Sequence, residues 1–428
     1  MQDDTIFALA SGAGTAAIAV MRLSGPGSAA AVRALCGVMP PPRQATLRTL
    51  RAADGSALDR GLVLWFRAPA SYTGEDSAEL HLHGGRAVTA AVADALVAQG
   101  LRPAEPGEFT RRAFLHGRLD LVEAEAVHDL VAAETEAQRR QALRQLEGAL
   151  GDLYRGWSGR LRGVLAQQEA LIDFPDEDLP PEVEAELLRA MQAVRAAIEA
   201  HLADGHRGEK LREGLFFAIT GAPNVGKSSL INALTERDVA IVSPVPGTTR
   251  DALEARVVLG SVPVTLVDTA GLRETADAIE AEGVRRALAR AGSADLVLVL
   301  VEAGSAAPPA GDRGLLVATK CDLGGAGPTG ALRISTLTGE GLDTLRGRLA
   351  DAARALTETS GPPPLTRARH RVALLEARDR LIAAEAAPMP ELRGEDLRLA
   401  MRALGRITGQ IGVEDILDTL FRQFCIGK

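Results

Sequence analysis

The chain has 428 residues, 46% of them hydrophobic and 24% charged, and a net charge of −8. That composition can bury sizeable cores in about three domains and excludes global disorder. The acidic balance argues against indiscriminate nucleic-acid binding, though a local basic groove stays open. Cys36, Cys321 and Cys425 are too scattered for a disulfide framework or a Cys-based zinc site. The opening Met-Gln-Asp-Asp-Thr lacks a leader pattern, and no apolar run reaches membrane-spanning length. The expectation is a cytoplasmic protein with no membrane association. Only Lys210, Lys227, Lys320 and Lys428 are lysines, against 44 arginines. Mutational bias explains that ratio, but two or three of these positions fall where a compact ammonium is needed.

Residues 1–117 read as an α+β domain. Ala16–Leu23 and Gly61–Phe66 are predicted strands, and Glu79-Leu80-His81-Leu82-His83 alternates strictly before Gly84-Gly85. Ala87–Gln99 is a predicted helix. From Leu119 the spacing turns helical: Leu119, Val122, Ala126, Val127, Leu130 and Val131, then Leu143, Leu146, Leu150, Leu153 and Trp157 as a near-heptad stripe. Proline-rich breaks at 174–181 precede another helix to about Leu202. Residues 213–361 alternate apolar strands (Leu215–Thr220, Val264–Asp268, Asp295–Val301, Leu315–Thr319) with helical stretches, a βαβ pattern. Helices resume from Thr366, with Leu397, Met401, Leu404, Ile407 and Ile411 on one face and Ile416, Leu420 and Phe424 on another. The expected architecture is an α/β P-loop GTPase domain (213–361) inserted in an all-α helical domain (118–212 and 362–428), preceded by the α+β N-terminal domain.

Gly221-Ala-Pro-Asn-Val-Gly-Lys-Ser228 follows an apolar strand and opens a helix, the context that a P-loop requires. Its glycines let backbone N–H groups turn toward phosphate oxygens, and the helix N-terminus favours the anion. Asn224, Val225, Gly226, Lys227, Ser228 and Ser229 fall in this cradle, with Lys227 for the β- and γ-phosphates and the Ser228 hydroxyl for Mg²⁺. Further elements follow in order. Gly247-Thr248-Thr249 supplies Thr249 as a second Mg²⁺ ligand. Asp268-Thr269-Ala270-Gly271 ends a strand, with Asp268 for Mg²⁺ through water and the Gly271 N–H for the γ-phosphate. Thr319-Lys320-Cys321-Asp322 ends another strand. The Asp322 carboxylate can accept from the N1–H and N2–H₂ edge of guanine, which adenine lacks, so the nucleotide is GTP. Ser335 and Thr336 sit where a loop would cover the base. Thr319 stands where GTPases commonly have Asn, so a weaker brace on the P-loop is expected. Leu272 occupies the place of the water-orienting Gln of Ras-like proteins. Any carboxylate of the stretch containing Glu274, Asp277, Glu280 and Glu282 could replace it, or all could be solvated.

The chain resembles the bacterial tRNA-modification GTPase family MnmE, also called TrmE. Tyr72-Thr-Gly-Glu-Asp76, Glu79-Leu-His-Leu-His-Gly-Gly85, Pro106-Gly-Glu-Phe-Thr-Arg-Arg-Ala-Phe114, Leu119-Asp-Leu with Glu123-Ala-Glu-Ala126, and the terminal Cys425-Ile-Gly-Lys428 carry the resemblance, which covers essentially the whole chain. It implies a homodimer that works with tRNA and an FAD-binding MnmG-like partner at C5 of wobble uridine 34, with a one-carbon unit from a tetrahydrofolate derivative. It implies K⁺-dependent GTP hydrolysis, with Asn224, Ser243, Val245 and Thr248 around K⁺ and Glu280 orienting water. It implies folate contacts from Arg22, Glu79, Arg118 and Lys428, where Arg118 replaces a frequent Lys. Cys425 is its candidate for the modification chemistry.

Other features have plainer readings. His81 and His83 form a His-x-His that is expected to be strand residues near a ligand rather than a zinc site. Arg367, Arg369, His370 and Arg371 form a basic patch for tRNA phosphates or a solvated helix face. A ribosome-assembly GTPase or a non-catalytic regulatory switch would share the motifs of 214–350, but neither accounts for the acidic balance, the interrupted helical domain and the Cys-Ile-Gly-Lys end together.

Overall fold

The computed structural model describes residues 4–12, 14–173, 181–237, 254–268, 294–306, 314–358, 361–411 and 414–427. The chain forms two compact units. One comprises Met1–His128, Leu146–Arg162 and Arg398–Lys428; the other comprises Asp129–Gln145 and Gly163–Leu397. Both helical stretches contribute to each unit.

The first unit is built on a six-stranded sheet of β1 (Ile6–Leu9), β2 (Ala16–Ser24), β3 (Thr46–Arg51), β4 (Ala57–Phe66), β5 (Ser77–Gly84) and β6 (Arg102–Pro103). Its spatial order is β3-β4-β5-β2-β1-β6, antiparallel except for the β1–β6 pair. Alternation sends Met21, Leu23, Val63, Trp65, Leu80 and Leu82 to one face, where they form a single core with Val32 and Leu35 of helix Ser28–Cys36 and Val92 and Leu96 of helix Arg86–Ala98. The residues that alternate with these along each strand go to the other side. There the β2–β5 register sets Arg22 opposite Glu79, and Ile18, Leu47 and Leu62 are exposed.

Buried charge ties the ends of this unit together. The Arg112 guanidinium, almost fully buried, donates to Asp4 Oδ1 at 2.7 Å, to Glu108 Oε1 at 3.0 Å and to Glu75 at 3.2 Å. Arg102 reaches both Asp4 and Glu108. Burial pushes the Asp4 and Glu108 carboxyls up, but the hydrogen bonds from Arg102 and Arg112 outweigh it and hold both below their usual range.

The C-terminal helix Glu414–Phe421 joins this unit through Leu417, Leu420, Phe421 and Phe424, which pack with Phe114, Leu121 and Ala124. Two glycines permit the approach. A Cβ on Gly107, whose φ is +70°, would meet Phe421 O at 2.6 Å, and one on Gly427 would meet Leu9 O at 2.2 Å. The last described residues therefore lie against β1.

The second unit contains the other six-stranded sheet: β7 (Leu215–Gly221), β8 (Glu254–Leu259), β9 (Val262–Asp268), β10 (Leu296–Glu302), β11 (Gly314–Thr319) and β12 (Leu332–Arg333). The order is β12-β11-β10-β7-β9-β8, parallel throughout except that β8 runs against β9. Phe217, Ile219, Leu266, Leu298 and Val317 bury against Leu230 and Leu234 of helix Lys227–Arg237 and Leu345 and Leu349 of helix Leu342–Thr357. Parallel strands buried on both faces explain the nearly continuous apolar runs.

Helix Pro181–Leu202 packs on helix Ala368–Ala386. Where the chain runs into and out of the inserted sheet, its two strands touch: a Cβ on Gly208 would lie 2.2 Å from Leu365 O. The same junction is tied by Arg371, which bonds Asp204 at 2.7 Å, Glu209 and the Leu202 carbonyl.

The structure departs from several sequence expectations. The stripe from Leu143 to Trp157 is two helices, Glu136–Leu146 and Ala149–Asp173, because Gly148 adopts φ +89° between them. Leu143, Leu146 and Leu153 are half-buried; the fully buried row is Leu150, Tyr154, Trp157, Leu161 and Val164. Helix Pro390–Thr408 stops before Ile411, which is half-exposed, since Gly409 turns left-handed at φ +84°. The patch at 367–371 is neither a solvated face nor an open basic surface. Arg367 is buried on Asp129 at 2.7 Å, His370 is buried, and Arg371 is consumed by Asp204 and Glu209.

Candidate functional site

The phosphate cradle forms as a left-handed turn between β7 and helix Lys227–Arg237. Gly221 and Gly226 take φ of +146° and +101°, and Asn224 takes +62°, a conformation that Asn tolerates better than most side chains. A Cβ on Gly221 would stand 2.6 Å from Leu300 O on β10. Lys227 is buried, and its ammonium arches back to donate to the carbonyls of Gly221 (3.2 Å) and Ala222 (3.0 Å). Ser228 Oγ lies 3.5 Å from Asp268 Oδ2, so the expected direct and water-mediated Mg²⁺ groups are side by side at the ends of β7 and β9. Two hard oxygen donors beside a buried ammonium and a helix N-terminus fit a Mg²⁺–phosphate pair. Val225 is buried beneath the loop, whereas Asn224 and Ser229 face outward on its rim.

The two segments expected to recognise the base also meet. Ile334 N donates to Ala318 O at 2.8 Å and Cys321 N to Ile334 O at 3.2 Å, which joins the Thr319–Asp322 turn to Ser335 and Thr336. Asp322 is exposed on that turn. Lys320 has φ +56° and an ion pair to Glu302 at 3.3 Å. Ser335 is fully buried; its Oγ accepts from Leu337 N and Thr338 N and so shapes the loop rather than facing the base. Thr319 keeps a contact with the P-loop through the hydroxyl that remains to it. Its hydroxyl does brace the P-loop, donating to Val225 O at 2.7 Å with a second acceptor, Val301 O, at 3.2 Å.

Ser243, Val245, Thr248, Thr249, Gly271, Leu272, Glu280 and Lys428 lie outside the described residues. The expected K⁺ ligands other than Asn224, the second Mg²⁺ ligand and the water-orienting carboxylate are among them.

In the first unit, Arg22 binds one oxygen of Glu79 through Nε (3.1 Å) and Nη2 (2.9 Å). His81 follows on the same face, with Nε2 3.6 Å from the other Glu79 oxygen. His83 is engaged elsewhere, by Asp59 at 2.7 Å. Arg118 is exposed and lies under the 71–76 loop: a Cβ on Gly74 would be 3.3 Å from its Cγ. Cys425 is exposed, with its carbonyl accepting from Gly107 N at 3.4 Å. The other thiols are less available: burial pushes Cys36 up to about 11, and burial also raises Cys321. Sequence reasoning missed the Asp4–Glu75–Glu108–Arg112 network beneath this site. The only signal was the run of charged residues within the Tyr72-Thr-Gly-Glu-Asp and Pro-Gly-Glu-Phe-Thr-Arg-Arg signatures.

Among the described residues, no helix is long and apolar enough to cross a membrane. Comparison with known proteins gives two family matches: the MnmE helical domain over residues 121–425 and the GTP-binding protein TrmE N-terminus over residues 5–118. A tRNA modification GTPase MnmE from Gluconacetobacter diazotrophicus is 63% identical over 99% of this chain and 98% of its own. Another, from Granulibacter bethesdensis, is 58% identical over 100% of both chains. Among solved structures, the G domain of the T. maritima FeoB iron transporter aligns with 32% of this chain and 98% of its own at 26% identity, with a TM-score of 0.22. With both family models matched and relatives this similar along its whole length, the chain belongs to the MnmE family of tRNA modification GTPases.

Proposed function

We propose that this chain is a GTP hydrolase whose cycle serves modification of wobble uridine 34 in certain tRNAs. In this reading it acts with an FAD-binding MnmG-like partner to add an aminomethyl or carboxymethylaminomethyl group at C5. The one-carbon unit comes from a 5-formyl- or methylene-tetrahydrofolate. The observation that carries the hydrolase reading is the assembled cradle: buried Lys227, and Ser228 beside Asp268, in a family member that spans its relatives' full length.

The chain's own groups do defined work. P-loop N–H groups and Lys227 hold the β- and γ-phosphates, and Asp322 selects guanine. Ser228, Thr249 and Asp268 would hold Mg²⁺, which neutralises charge on the phosphate oxygens when bound. Asn224, Ser243, Val245 and Thr248 are assigned to K⁺, whose positive charge takes the place of an arginine finger. Glu280 is assigned to orient the attacking water, because Leu272 cannot. Arg22, Glu79, Arg118 and Lys428 are assigned to the folate, and Cys425 to the modification chemistry. The paired hydrogen-bonding edges of Arg22 and Glu79 support the folate assignment. The exposed apolar residues Ile18, Leu47 and Leu62 support a homodimer formed through the N-terminal domain. The division at 1–117, 118–212, 213–361 and 362–428 belongs to the same reading, as does a cytoplasmic location.

Mass spectrometry of wobble-uridine nucleosides from cells lacking the protein tests the tRNA role; loss of the C5 group is expected. Unchanged nucleosides with a ribosome-assembly defect would instead favour a regulatory switch. Hydrolysis measured at saturating GTP should run far faster in K⁺ than in Na⁺, and Glu280→Ala should cost about 100-fold or more. Equal rates in the two salts would remove the cation assignment.

A further inference from the structure

The Arg22 guanidinium is held from several sides. Glu79 fixes its Nε and Nη2 edge. Two rings stand beside its planar face: Tyr72 with its centroid 5.5 Å from Cζ, and Phe109 at 5.8 Å. Phe109 is fully buried and belongs to the core, but Tyr72 is 37% exposed on the 71–76 loop and needs its own anchor. Its hydroxyl is paired with Thr110 Oγ1 at 2.8 Å. The loop that carries it is pinned by Ser24 on Thr73 (2.6 Å) and on Glu75 (2.7 Å), and by Arg112 on Glu75. This is more structure than a surface tyrosine needs. What it leaves is also specific: Arg22 Nη1 has no hydrogen-bond partner among the described residues, and Glu79 Oε2 and the buried His81 Nε2 face each other at 3.6 Å, beyond hydrogen-bond distance. A donor edge and an acceptor edge therefore stand together at a fixed orientation.

We infer that Tyr72 is a positioning residue for the folate site, holding Arg22 by cation–π contact so that its Nη1 edge and the Glu79 oxygen that Arg22 does not bind receive the paired acceptor and donor edge of a reduced pterin. An arginine free to rotate would lose most of its two-point recognition, because the rotamer entropy would be lost again at each binding event. The ring does the holding and the hydroxyl anchors the ring. The inference rests on the folate assignment above.

Calorimetry with 5-formyl-tetrahydrofolate on the full-length protein tests it. Tyr72→Leu should weaken binding about tenfold, in the range of a partly desolvated cation–π contact. Tyr72→Phe, which keeps the ring, should restore affinity to within about threefold of the starting protein. In an Arg22→Gln background, Tyr72→Leu should cost less than about twofold, since there is no guanidinium left to hold. Thermal unfolding and GTP affinity, measured on the same variants, should stay unchanged, which separates positioning from folding. An unaltered affinity in Tyr72→Leu, or a tenfold loss that persists in the Arg22→Gln background, would overturn the role of Tyr72. Failure of the starting protein to bind this folate would overturn the folate assignment itself.

Discussion

Thr319 shows how much one hydroxyl can control. A trans peptide points its carbonyl and the following N–H in opposite directions. When Thr319 fixes Val225 O, it thereby fixes the Gly226 N–H toward the opposite, phosphate-facing side of the loop. Thr319→Val keeps the shape, removes that donor and leaves a buried carbonyl short of a partner, at a cost of about 1–3 kcal/mol. GDP affinity measured by fluorescent-nucleotide displacement should fall about tenfold or more. Thr319→Ser, which keeps the donor, should restore it. Guanine preference should not change in either variant, because the base contact is assigned to Asp322. If Asp322→Asn leaves the preference for guanosine over xanthosine nucleotides intact, that reading of Asp322 is wrong. The sequence alone exposed Thr319 as a departure but not its effect, since a motif does not say which carbonyl a side chain reaches.

At the level of elements, legibility followed the strength of local pattern. β7, β9, β10 and β11 are long apolar runs ending in turns and could be read directly. β1 is only four residues, and β3 reads Thr-Leu-Arg-Thr-Leu-Arg, a three-residue repeat that hides alternation. β8 is an edge strand with two of its six residues, Glu254 and Arg256, charged and exposed, which weakens its signal. The P-loop was visible because eight consecutive residues carry it. The polar cluster beneath Tyr72 was not, because Asp4, Glu75 and Arg112 are more than 30 residues apart in sequence and only folding joins them. The seat of the C-terminal helix was equally hidden in Gly107. Gly107→Ala should combine left-handed strain with a collision against Phe421 O, and hydrogen exchange should accelerate across 414–424. Gly37→Ala, at φ +75° but with open space around it, supplies the control and should leave that segment unaltered.

Across the whole molecule, buried ionisable groups set a pH window. Burial depresses His201 to about 4, helped by Arg371 and opposed by Asp204. The unfolded imidazole titrates near 6.5. Between those values the unfolded chain binds a proton that the folded chain refuses, so stability rises with pH across the window. The contribution is complete above about pH 6.5 and falls by roughly 3 kcal/mol as pH drops to 4. The depressed carboxyls of Asp4 and Glu108 then act in the same sense: their stabilisation is present above their unfolded values, near 4, and is lost as pH falls through the folded ones. Urea midpoints collected from pH 7 to pH 4 should decline for the native chain and decline less for His201→Gln. Identical slopes in the two proteins would show that folding does not shift the titration of His201.

The contact between Gly208 and Leu365 has a consequence for protein engineering. An insertion whose ends touch is a cassette, and closing the gap it leaves takes only a few residues of linker at little entropic cost. The inserted sheet has its own core, from Leu215 to Ala353, which does not depend on that linker. Replacing residues 209–364 by a short Gly-Ser bridge should therefore give a chain that still unfolds cooperatively, with helical circular dichroism in proportion to the helices it retains. The excised piece, expressed alone, should bind guanine nucleotide. The same junction would accept a different nucleotide-binding module whose ends lie equally close, turning this scaffold into a host for switches that it did not evolve with.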